Sequence, residues 1–144
     1  MNLSVSAVLI YSLVGAIVLA YAPYALSAYG RVIVASKSEN KMEMFQKPRA
    51  LFDTLPDFAK RAYWAHQNGF EALLVYAIAA LSAIVTGVES QNAIYAAIAF
   101  LIARALYSVF YIANIAPLRS LMFGVANVCN IVLFSLSIAA AQSL

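Results

Sequence analysis

Residues 3–34 read LSVSAVLIYSLVGAIVLAYAPYALSAYGRVIV, and no charged side chain interrupts them before Arg31. Crossing a bilayer takes about 20 predominantly apolar residues, so this run is long enough to span a membrane as one helix. It is not expected to be a cleaved signal peptide. No Lys or Arg precedes it, and its apolar part, from 3 to about 28, exceeds a signal-peptide core. Pro23 removes one backbone hydrogen bond and is expected to kink the helix.

Three further stretches have the same character, and together the spans run about 3–34, 57–85, 92–113 and 117–141. Of the 144 residues, 65% are hydrophobic and 10% charged, against about 45–50% and about 25% in an ordinary soluble domain. A chain this short cannot hide that much apolar surface inside itself, so lipid must cover the excess. The links at 86–91 and 114–116 are short, and short links join antiparallel neighbours. The expected fold is therefore all-α: one integral membrane four-helix bundle over 1–144, with up-down topology. Thr54 and Asp57 read as a capping pair, Pro56 and Pro117 suit first helical turns, and Gly87 suits a helix end.

The charges are sorted by side. Arg31, Lys37, Lys41, Lys47, Arg49, Lys60 and Arg61 flank or fill the polar loop at 36–56, and Arg119 follows the third link. Neither the termini nor the second link carry Lys or Arg. The positive-inside rule then places both termini outside and the basic loops in the cytoplasm.

Polar groups at membrane depth are costly and are functional candidates. Arg61, Trp64, Asn68 and Glu71 fall on one face of the second span, and Arg104, Tyr107 and Tyr111 on one face of the third. A lone carboxylate at position 71 calls for a partner, so a Glu71–Arg104 contact is predicted, either as polar glue between helices or as part of a site. Arg119 falls in the first turn of the fourth span, where the helix dipole is already positive. A cation there suits a nearby anion, whether a lipid headgroup or a specific ligand. His66 is the only histidine and Cys129 the only cysteine, so no metal site is expected; His66 reads as an interhelical packing or hydrogen-bonding group.

These residues resemble the MAPEG family, the membrane-associated proteins in eicosanoid and glutathione metabolism. The run Arg61-Ala-Tyr-Trp-Ala-His-Gln-Asn-Gly-Phe-Glu71 is similar to the family's second-helix signature, with Asn68 and Glu71 matching its Asn-x-x-Glu core. Lys47-Pro-Arg49 resembles the Asn-Pro-Arg of bacterial members, and Arg104, Tyr107, Tyr111 and Pro117-Leu-Arg-Ser120 resemble the third-to-fourth helix segment.

The resemblance implies a homotrimer with glutathione bound between subunits. Arg119 would stabilise the thiolate, and Arg31, Asn68, Glu71, Arg104, Tyr107, Tyr111 and Ser120 would bind the tripeptide. One departure is plain: Trp64 and Gln67 stand where conjugating members carry Arg.

The function so implied is a glutathione-dependent transferase or peroxidase acting on a lipophilic small-molecule substrate in a bacterial plasma membrane. Its partners would be membrane lipids and further copies of the chain, and no nucleic acid. The alternative is a non-catalytic member that holds a lipid or other anion in the same intersubunit pocket. A transporter is disfavoured, since no inverted repeat is visible.

Overall fold

Four helices long and apolar enough to cross a membrane account for almost all of the described chain. They are α1 (Val5–Ser36), α2 (Asp57–Val85), α3 (Gln91–Ile112) and α4 (Ala116–Ala141), with a short 3-10 turn (Phe52–Thr54) ahead of α2. The computed structural model describes residues 3–37 and 52–142. Lys41, Lys47, Pro48 and Arg49 lie outside the described residues.

Local chemistry sets the boundaries. Ser4 Oγ accepts from the Ala7 N–H and starts α1, and Ser90 Oγ accepts from the Asn92 N–H and starts α3. At the end of α2, Gly87 takes a left-handed φ of 67°. Its N–H donates to the Ile84 carbonyl and that of Val88 to the Ala83 carbonyl, a Schellman closure. Asn114 repeats the device after α3 with φ 61°, the Asn114 N–H reaching the Tyr111 carbonyl and the Ile115 N–H that of Phe110. Ile115 is at once the cap of α4, and the Arg119 N–H donates to its carbonyl. This tight corner holds Arg119 next to the end of α3. The expected Thr54–Asp57 capping pair is not what starts α2. Pro56 occupies the cap, with no side-chain cap bond, and its carbonyl accepts from the Ala59 and Lys60 N–H groups.

Packing is built on small residues. Ala59, Ala62, Ala65, Ala79, Ala80 and Ala83 face inward from α2, and Ala93, Ala96, Ala97 and Ala103 from α3. Without a hydrophobic drive between helices in lipid, close backbone approach supplies the attraction. Two glycines let α1 and α2 approach closely. A Cβ on Gly30 would run into Ala59 Cβ, and one on Gly69 would sit 3.1 Å from Ala20 Cα.

α1 packs mainly on α2 and α4 mainly on α3, while α2 and α3 each touch every other helix. The centre is closed by Tyr76 stacked on Phe100, with ring centroids 3.8 Å apart, and the Tyr76 hydroxyl hydrogen-bonds Ser12 Oγ. Outward faces carry Val14, Val18, Val85, Ile98, Ile102 and Ile131, which suits lipid contact. Pro23 is buried inside the continuous α1 and supplies no N–H to the preceding turn. His66 Nδ1 lies 2.7 Å from the Ala20 carbonyl oxygen in that turn, so the histidine is an interhelical hydrogen-bonding group.

Candidate functional site

The polar stripe of α2 faces α3 and α4, and two cavities are stacked along it. The one nearer the basic end of the bundle holds about 180 Å³ and is lined by Asp57, Lys60, Arg61, Trp64, Tyr111, Asn114 and Arg119. The deeper one holds about 140 Å³ and takes Asn68, Glu71 and Arg104 with Phe123, Asn127 and Asn130 among its walls. Tyr107 is buried beside them. Its ring lies 5.6 Å from that of Tyr111 and 6.4 Å from that of Phe123.

A chain of contacts links the two cavities. Glu71 Oε2 accepts from Asn68 Nδ2 at 3.2 Å, and Asn68 Oδ1 accepts from Arg104 Nη1 at 3.1 Å. The Arg104 guanidinium lies 4.2 Å from the Tyr107 ring centre, and that of Arg119 lies 4.7 Å from the Tyr111 ring centre. The predicted direct Glu71–Arg104 contact is therefore corrected: Asn68 stands between them as a relay. The amide suits that place because one end donates to a carboxylate while the other accepts from a guanidinium. Arg104 is buried and Glu71 is exposed on the single chain, so the carboxylate looks outward from the bundle.

Arg119 occupies the first turn of α4, with the corner after α3 holding it over Tyr111. Three cations, Lys60, Arg61 and Arg119, line the basic-end cavity against one carboxylate, Asp57. Two of them are also tied to backbone. Arg61 Nε donates to the Ile112 carbonyl at 2.8 Å, closing an open carbonyl at the negative end of α3, and Lys60 Nζ donates to the Asp53 carbonyl at 2.8 Å. Among the described residues Arg119 has no such backbone tether, which makes it the most available of the three for an anion.

The cations of the basic-end cavity suit an anionic ligand. Sites for small molecules enclose about 300–1,000 Å³, more than either cavity holds.

A family model described as MAPEG family matches residues 8–139. The chain belongs to the MAPEG family. No curated protein and no solved structure matches it. The match covers all four helices of this MAPEG chain, so its second-helix Asn-x-x-Glu and its fourth-helix Arg fall inside the matched region.

Of the residues singled out in the sequence, Arg119 and Tyr111 share the basic-end cavity, Asn68, Glu71 and Arg104 share the deeper one, and Tyr107 lies beside both. Arg31 and Ser120 are not brought to either. Arg31 sits between the rings of Tyr24 and Tyr63, at 5.7 and 6.0 Å, and Ser120 is exposed. Sequence reasoning missed Asn127 and Asn130. Their signal was present, since two amides three residues apart in an apolar span lie in helical phase with Arg119.

Proposed function

We propose that the chain is a membrane-bound glutathione-dependent transferase or peroxidase acting on lipophilic electrophiles or lipid hydroperoxides. The observation that carries this reading is Arg119. It is a guanidinium on the first turn of a membrane helix, with no backbone tether among the described residues, lining a cationic cavity beside an aromatic ring. When bound there, glutathione supplies a thiol whose ordinary pKa is about 8.5 and whose thiolate is the nucleophile. Arg119 and the positive end of α4 both favour the charged form, which raises the nucleophile's share at neutral pH. Asn68 and Glu71 offer an amide and a carboxylate to the peptide's amines and carbonyls, and Arg104 holds that pair in place.

The small cavities favour a site completed by a second copy of the chain, as in a homotrimer. The exposed Glu71 supports the same view, because a carboxylate at this depth is better faced by protein than by lipid. In this reading the basic end faces the cytoplasm of a bacterial cell, both termini lie outside, and lipophilic substrates enter sideways from the bilayer.

A second reading is favoured by Trp64. It lines the same cavity, is 42% exposed and stands where conjugating members carry Arg. An indole there packs well against a lipid at the interface, and the cavity then holds a phospholipid headgroup with no chemistry.

Calorimetry of glutathione binding to the detergent-purified chain, with ultraviolet thiolate absorbance followed in parallel, separates the two. The enzyme reading expects binding with a thiolate signal that Arg119→Ala abolishes while assembly survives. No binding, with phospholipid copurifying, favours the lipid reading.

A further inference from the structure

The deeper cavity contains an amide that the relay does not use. Asn130 is 4% exposed, lines that cavity, and its side-chain oxygen is buried without a hydrogen-bond partner among the described residues. Several polar groups inside the bundle are engaged: Ser12 with Tyr76, His66 with the Ala20 carbonyl, and Asn68 with Arg104 and Glu71. An Asn serving as glue between helices would show such a bond. Asn130 does not, although an unsatisfied amide in a membrane interior is costly.

Neighbouring Asn127 donates its Nδ2 to the Phe123 carbonyl one turn back, so its oxygen is the end left unengaged. Asn127 and Asn130 together give α4 an acceptor-rich wall. The opposite side of the cavity brings the exposed Glu71 carboxylate, a further acceptor. Phe100, Phe123, Val75 and two alanines form the apolar part of the lining, and Asn68 and Arg104 of the relay complete the walls.

Both Glu71 and Asn130 lie fourteen residues into their helices, counted from Asp57 and Ala116. At about 1.5 Å per residue that is about 21 Å from the basic end, well inside a bilayer about 30 Å thick. The cavity's 140 Å³ is close to the ~150 Å³ of an engineered cavity that holds benzene.

We propose that this cavity is a binding subsite for the polar end of an apolar ligand, a hydroxyl whose O–H donates to Asn130 Oδ1. Such a ligand enters from the hydrocarbon region, buries its apolar body against Phe100 and Phe123, and finds its one donor satisfied. An apolar molecule of the same shape without the O–H leaves the amide as unsatisfied as before. The subsite thus selects for the donor group and not for bulk. It needs no glutathione, so its test is separate from that of the enzyme reading.

The test is fluorine NMR of the full-length chain in detergent, titrated with para-fluorophenol and, separately, with fluorobenzene, each corrected by a detergent-only titration. One added hydrogen bond predicts about three- to tenfold tighter binding of the phenol. Asn130→Leu should bring that ratio to about one while leaving helical content and chromatographic size unchanged. Asn130→Ala should do the same and guards against a folding defect peculiar to leucine. A ratio near one in the unaltered chain overturns the proposal, since the amide is then satisfied by water that the phenol does not displace. A preference for the phenol that survives both substitutions overturns it too, by placing the recognition elsewhere.

Discussion

Replacing Asn68 with leucine should unfasten the polar relay at the centre of the site. The two side chains branch at the same carbon and leucine is the larger, so Asn68→Leu opens no cavity, and the loss is that of two hydrogen bonds. One is the 3.1 Å bond from Arg104 and the other the 3.2 Å bond to Glu71. Bonds to charged groups are worth about 1.5–3 kcal/mol in soluble proteins, but interhelical bonds in membranes average about 0.6 with a maximum near 1.7 kcal/mol. Arg104 is buried and has few other partners, so its half belongs near the upper membrane figure. Glu71 is exposed on the single chain, so its half belongs near the average. The sum is about 2 kcal/mol.

Equilibrium unfolding in mixed detergent, followed by helical circular dichroism, reads this directly. Combining Asn68→Leu with Glu71→Leu should cost about 0.5 kcal/mol less than the two single losses added, because the pair shares one bond. Asn68→Asp should restore the Arg104 half by placing a carboxylate against the guanidinium. A change within about 0.5 kcal/mol for Asn68→Leu, the range of ordinary surface substitutions, would refute the relay.

Two other outcomes follow from the geometry. Gly30→Ala forces a methyl into Ala59, far inside the roughly 3.5–4.0 Å at which carbons rest. Overpacking of about 1–3 kcal/mol should outweigh the gain of about 1 kcal/mol in helix propensity. Gly69→Ala meets Ala20 less tightly and should cost less, so a reversed order in mixed-detergent unfolding contradicts the α1–α2 contact. Under the enzyme reading, Trp64→Arg adds a charge-assisted donor to the cationic cavity and should tighten glutathione binding about three- to tenfold, discounted for its exposure. Calorimetry showing unchanged or weaker binding would mean that Trp64 is not what limits the site.

Much of this protein was legible in its sequence because the deciding signals are local. Four apolar runs of spanning length fix four helices, and Gly87, Pro117 and the short links fix where three of the helices end or begin. Each of those depends on backbone geometry within one turn. The face shared by Arg61, Trp64, Asn68 and Glu71 was equally readable, since helical period alone puts them in line. What lies opposite that face was not. The direct Glu71–Arg104 contact failed because both residues were placed by depth, and depth says nothing about rotation about the helix axis. Only the packed bundle, drawn close by Gly30 against Ala59 and Gly69 against Ala20, sets those rotations. It puts an amide between the two charges, lines two cavities of the single chain with the polar residues of α2, α3 and α4, and turns Asn130 into one of them.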